Sequence, residues 1–213
     1  MSGFDSEVPL IGILRGFDAD RIERLVGVAA RGGFRNLEVT MDSKGATDLI
    51  RAARKAAPPG MRIGAGTVRG LEDLRAALGA GAEFIVTPVV VEDVIRRCRS
   101  DGVFIVPGAF TPTEIHRAWD LGADLVKLFP ADQLGPAYVR SVKGPLPEVK
   151  LCPTGGITVE AMAAYRKAGA EAFGIGGQLF QKPRVEAGDW EGIEREARRY
   201  VEAWRASTGS QSL

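Results

Sequence analysis

Lys127 stands inside an apolar run, "DLVKLFPA" from Asp124 to Ala131, where an unpaired ammonium is costly to bury. Glu38 is in the same position inside "FRNLEVTM". Desolvation favours the neutral form of a lysine, and a neutral amine attacks carbonyl carbons to form a Schiff base. A carboxyl group nearby serves as the general acid and base for the proton transfers of such a step. The plain alternative is a buried Lys–Glu pair that satisfies only itself. Such a pair adds little net stability, because desolvation offsets the attraction.

Side chains alternate along a strand, which decides where these groups point. Leu125, Lys127 and Phe129 share one face, and the aliphatic Val126 and Leu128 take the other. Leu37, Val39 and Met41 form an apolar face, which turns Asn36, Glu38 and Thr40 the opposite way. Arg15 follows Ile11 and Ile13 on one face of the first run, and Thr67 ends the third.

The elements that must hold these residues are marked by glycine. "RGGFRNLEV", "GAGAEFIV", "SDGVFIV", "DLGADLVKL" and "KAGAEAFGI" each read as a helix C-cap followed by a short strand. Apolar runs begin near residues 9, 34, 61, 82, 103, 123, 148 and 170, with stretches of helical period between them. This alternation predicts a parallel sheet with crossover helices. Its evenness predicts an α/β fold with a single (β/α)8 TIM barrel over residues 1–213, ahead of an open doubly wound sheet. The last helix carries Ile193, Ala197, Val201 and Trp204 on one stripe, and a frayed tail is expected from about 207. In a barrel, Lys127, Glu38, Arg15 and Thr67 face inward near the C-terminal strand ends, where catalysis occurs. "PTGGI" and "GIGGQ" follow the last two strands. Their Gly155, Gly156, Gly176 and Gly177 can bring backbone N–H groups to a phosphate.

Composition narrows the remaining classes. A net charge of +1 supplies no basic stripe, so no nucleic-acid partner is expected. No apolar run reaches the ~20 residues that span a bilayer, so no membrane partner is expected either. The first residues lack a basic-then-apolar signal, which predicts a cytoplasmic location. Cys98, Cys152 and the single His116 cannot compose a zinc site; the cysteines read as reduced core thiols and His116 as solvated. Trp119 and Trp204 read as packing residues. Neither metal nor cofactor is expected. The residues alone leave open a Schiff-base lyase, a phosphate-binding isomerase or epimerase using Glu38 as base with Lys127 as electrostatic stabiliser, and a non-catalytic assembly module.

The phrases "GGFRNLEVTM", "IGAGTV", "AEFIVTP", "PGAFTPTE", "VKLFPA", "GPAYVRSVKGPLP", "PTGGI" and "GIGG", in this order and spacing, resemble the family of 2-keto-3-deoxy-6-phosphogluconate and 4-hydroxy-2-oxoglutarate aldolases. The resemblance runs from about residue 8 to 200 and implies a class I aldolase on a homotrimeric (β/α)8 barrel. It implies a keto-acid phosphate substrate, cleaved to pyruvate and glyceraldehyde 3-phosphate, or unphosphorylated 4-hydroxy-2-oxoglutarate. Lys127 is implied as the Schiff-base lysine and Glu38 as the general acid/base. Thr67, Pro88, Phe129 and Thr154 match positions that meet the keto acid, and Gly155, Gly156, Gly176 and Gly177 match the phosphate loops. Two positions depart from the pattern. Where the phosphogluconate branch reads "EVTLR", this chain has Asp42, which leaves Arg15 of "ILRG" as the cation for the carboxylate. Gln178 replaces the serine that ends the phosphate loop. "ILRG" and "GPAYVRSVKGPLP" lean toward the phosphogalactonate branch and "PTGGI" toward phosphogluconate, so the C4 configuration stays open.

Overall fold

The strand side chains pack into two separate apolar clusters. A computed structural model describes residues 3–208. Chain order is β1 (Leu10–Leu14), α1 (Ala19–Arg31), β2 (Asn36–Thr40), α2 (Ala46–Ala56), β3 (Arg62–Gly66), α3 (Leu71–Gly79), β4 (Phe84–Val86), α4 (Glu92–Asp101) and β5 (Phe104–Val106). Then come β6 (Gly108–Ala109), α5 (Pro112–Asp120), β7 (Val126–Leu128), α6 (Gly135–Lys143), β8 (Leu151–Pro153), α7 (Val159–Lys167), β9 (Phe173–Ile175), α8 (Lys182–Ala187) and α9 (Trp190–Thr208). Leu10, Leu14, Leu37, Val39, Val126 and Leu128 belong to the large cluster against the helices. Ile11, Phe84, Val86, Val106, Leu125 and Cys152 form a separate interior cluster. Leu125 lies in the interior while Val126 and Leu128 face the helices, so Lys127 points inward.

The strands are all parallel. One sheet has the order β5-β4-β3-β2-β1-β9 and the other β6-β7-β8. Together with the surrounding helices they form an α/β fold around a curled half-barrel. Isolated parallel bridges, Leu151 to Ala170 and Thr154 to Gly174, join the region of β8 to that of β9. The run beginning near residue 103, expected as one strand, divides at Pro107. Proline has no N–H for the ladder, so β5 pairs with β4 on one side of it and β6 with β7 on the other.

Local signals account for the helices. α5 starts with a capping box: Glu114 N donates to Thr111 Oγ1 (3.3 Å), and Thr111 N donates to Glu114 Oε2 (2.7 Å). Thr158 caps α7 by accepting from Ala161 N (3.3 Å). Ile193, Ala197, Val201 and Trp204 of α9 are buried, as their spacing predicts. Helix α9 extends through Thr208, past the expected start of the tail, and residues 209–213 lie outside the described chain. Trp119 packs against the core and His116 is exposed beside Asp120. Among the described residues, no helix is long and apolar enough to cross a membrane.

The interior has a floor. Phe4 stacks on Phe104 with ring centroids 4.4 Å apart and meets Phe84 edge-on at 5.5 Å. Asn36 holds this segment: its Oδ1 accepts from Asp5 N (2.7 Å) and its Nδ2 donates to Asp5 O and Val8 O.

Candidate active site

At the other end, the C-terminal strand ends surround a cavity of about 650 Å³. It is lined by Ile13, Arg15, Gly16, Phe17, Thr67, Pro88, Lys127, Phe129, Thr154, Gly155, Gly176, Gly177, Gln178, Phe180 and Lys182. Ten of the residues singled out from sequence are thus brought together: Arg15, Thr67, Pro88, Lys127, Phe129, Thr154, Gly155, Gly176, Gly177 and Gln178. Glu38 and Gly156 are not in the lining.

Lys127 is 5% exposed. Its backbone N–H donates to Pro107 O (2.8 Å), which fixes the height of the side chain on the sheet. The ammonium lies 5.0 Å from the centroid of the Phe129 ring, and it makes no ion pair among the described residues.

Glu38 is buried outside the cavity lining, at 1% exposure. Gly66 makes room for it, since a Cβ there would lie 2.2 Å from Glu38 Oε1. Among the described residues the carboxyl accepts no hydrogen bond. Burial pushes its pKa above the ordinary 4.5, against the opposing pull of Lys127 and Arg15, and Asp42 adds to the rise. Such a carboxyl is poised to take up and return protons.

Arg15 lies at the rim with its side chain 55% exposed. Its Nη1 donates to Asp42 Oδ2 (2.7 Å) and its Nη2 to Thr67 Oγ1 (2.9 Å). Thr67 has φ +57°, a left-handed conformation that a β-branched residue seldom adopts. Asp42, which stands where the phosphogluconate branch has its arginine, pairs with Arg15.

Thr154 is buried; its Oγ1 donates to Cys152 O (3.1 Å), leaving lone pairs for a ligand. Burial raises the Cys152 thiol to about 12, so that sulfur stays protonated and inert. Tyrosines from the helices steady the surrounding loops. Tyr165 Oη donates to Ala131 O (2.9 Å), and Tyr200 Oη to Ile157 O (2.8 Å).

Gly155 and Gly156 both have positive φ, and they face different ways. Gly155 borders the cavity. A Cβ on Gly156 would collide with the Asp132 side chain at 2.5 Å, so this glycine serves the close approach of Asp132. Sequence reasoning missed Phe17, Phe180 and Lys182. Phe17 and Phe180 form an edge-on pair with centroids 6.4 Å apart. Lys182 is an exposed cation without an ion-pair partner among the described residues, and nothing in "FQKPRV" distinguishes it from a surface lysine.

Residues 5–196 match the sequence profile of a family described as "Aldolase: KDPG and KHG aldolase". A probable 2-dehydro-3-deoxy-6-phosphogalactonate aldolase of Rhizobium meliloti (strain 1021) is 35% identical, the alignment covering 96% of this chain and 95% of the relative. A 2-dehydro-3-deoxy-phosphogluconate aldolase of Pseudomonas aeruginosa is 36% identical, with coverages of 92% and 87%. A solved structure described as native KDPGal superposes with a TM-score of 0.89 at 32% identity, covering 97% of this chain and 98% of that one.

Proposed function

Since this chain belongs to the KDPG and KHG aldolase family, we propose that its cavity cleaves 2-keto-3-deoxy-6-phosphogluconate, or the galactonate epimer, through a Schiff base on Lys127. The products are pyruvate and glyceraldehyde 3-phosphate. One observation carries the residue assignment: a buried lysine and a buried carboxyl share one interior without neutralising each other.

The steps follow from the groups present. The neutral amine of Lys127 adds to the C2 ketone; the carbinolamine takes a proton from the Glu38 carboxyl and loses water to give an iminium ion, which leaves Glu38 as the carboxylate. Glu38, acting through a water molecule, accepts the proton of the C4 hydroxyl. The C3–C4 bond breaks, its electron pair enters the iminium as an enamine, and C4 leaves as the aldehyde. The same carboxyl returns its proton to C3, and hydrolysis of the imine releases pyruvate and restores Lys127. The elevated pKa of Glu38 supports this double duty.

Arg15 receives the substrate carboxylate in a charge-assisted contact. Thr67, Pro88, Phe129 and Thr154 border the keto acid. Gly155, Gly176, Gly177 and Gln178 receive the phosphate across the cavity, where Lys182 adds the cation that sequence alone did not reveal. Gly156 shapes that loop by admitting Asp132.

The two sheets belong, on this reading, to one eight-stranded barrel forming a single domain. Bridges between β8 and β9 and the chain continuity through Pro107 support that closure. The resemblance extends to a homotrimer in the cytoplasm. Comparing retro-aldol rates on the two phosphorylated epimers and on 4-hydroxy-2-oxoglutarate tests the assignment. Pyruvate release from at least one phosphorylated epimer is expected, and release from neither would sink the reading.

A further inference from the structure

We propose that Asp42 is a positioning residue. With Thr67 it clamps the Arg15 guanidinium at the cavity rim, so that the edge left free receives the carboxylate of a 2-keto acid. This rests on the assignment of Arg15 above and deepens it.

The clamp has two jaws. Asp42 Oδ2 accepts from Nη1 at 2.7 Å, and Thr67 Oγ1 accepts from Nη2 at 2.9 Å. A guanidinium has five N–H donors, so two engaged donors leave three for a ligand. Holding both terminal nitrogens fixes the plane of the group, which one contact alone would leave free to rotate. Thr67 holds its place in a left-handed backbone conformation that is costly for threonine, and the hydroxyl so placed meets Arg15.

The neighbouring residues repeat the stitch. Gly16 N donates to Ser43 Oγ (3.1 Å), and Ser43 Oγ is 3.1 Å from Thr40 Oγ1 at the end of β2. Arg15 and Gly16, both bordering the cavity, are therefore held by consecutive residues of the loop after β2. Asp42 itself stays out of the cavity lining. A carboxylate there would repel a substrate carboxylate, whereas behind Arg15 it orders the arginine. The pair is half in water, with side-chain exposures of 55% and 35%, so its effect is modest.

Pyruvate serves as the probe, with borohydride trapping on the full-length protein followed as a function of its concentration. Asp42→Ala is expected to raise the half-saturating pyruvate concentration about three- to fivefold, in the range of a partly exposed ion pair. It should leave the trapping rate at saturation close to that of the parent. Asp42→Asn keeps an acceptor oxygen and should recover part of the loss. In an Arg15→Ala background, Asp42→Ala should add nothing, because the two residues act as one unit. Tighter pyruvate binding in Asp42→Ala would show that Asp42 competes with the ligand and would overturn the proposal. So would an unchanged half-saturation, or an undiminished effect without Arg15. If Arg15→Ala alone leaves pyruvate binding intact, the carboxylate assignment of Arg15 falls, and this proposal with it.

Discussion

Lys127 and Glu38 lie in one interior, each shielded from water, and no ion pair joins them. A pair that existed only to satisfy itself would close that gap. The absence of such a pair keeps the amine available, as the proposed mechanism needs. It predicts that borohydride in the presence of pyruvate adds a stable mass to one lysine. Peptide mapping should place the label at Lys127, and Lys127→Met should take up none. A label on Lys182, the other cavity lysine, would reassign the nucleophile.

Glu38→Gln preserves shape and removes the proposed proton carrier. Turnover should fall by about 10²–10⁴-fold. Stability should move the other way. The folded pKa of Glu38 is raised, so its protonated form supports the fold fully below the ordinary value of 4.5, and that contribution is lost as pH rises through the folded pKa. The glutamine variant should therefore melt higher than the parent at neutral pH, and the difference should vanish in acid. Thermal melts across pH check this, and a variant less stable at neutral pH would contradict it.

Arg15→Ala should weaken keto-acid binding by about 1–3 kcal/mol, the scale of hydrogen bonds to a charged group. The half-exposed position of the side chain keeps the loss below that of a buried ion pair. Arg15→Lys should recover only a part, because the planar fork is gone. Steady-state KM for the cleaved substrate provides the measurement.

Lys182 should matter for the phosphate and not for pyruvate. Lys182→Ala is expected to raise KM for a phosphorylated substrate about threefold at low ionic strength, with the effect shrinking as salt is added. Pyruvate trapping should not change. Equal losses on phosphorylated and unphosphorylated substrates would place Lys182 elsewhere in the reaction.

Gly66→Ala would set a methyl group 2.2 Å from Glu38 Oε1. Overpacking of this kind costs about 1–3 kcal/mol of stability. Activity should drop more sharply than stability, because the group displaced is the one assigned to carry the proton. Urea unfolding beside a turnover assay separates the two, and full activity in this variant would show that the Glu38 carboxyl can sit elsewhere.

Alternation along the strands made the orientation of Lys127 readable in advance, because Val126 and Leu128 had to face the helices. The same reasoning placed Arg15 and Thr67 at the mouth. Other features depend on distances between segments far apart in the chain, which no local pattern encodes. Nothing in "IGAGTV" shows that Gly66 is small because Glu38 fills the space above it. Gly156 looked identical to Gly155 until Asp132 was seen against it. Lys182 enters the cavity only because the chain after β9 turns back over the mouth. Pro107 was visible as a residue, yet its effect on strand pairing required knowing that β4 and β7 flank it on opposite sides.

The Phe4 floor gives the interior two unlike ends. Phe4, Phe84 and Phe104 pack ring against ring at the end away from Lys127, and the 650 Å³ cavity lies at the other. On the proposed mechanism, water expelled when the imine forms at Lys127 leaves by the cavity mouth, past the sugar chain. The water that later frees pyruvate must come in the same way, after the aldehyde has gone. On the proposed mechanism the covalent enamine sets the order of departure, aldehyde first and keto acid second, and a shared mouth adds that water reaches the imine once the aldehyde has moved out of the way.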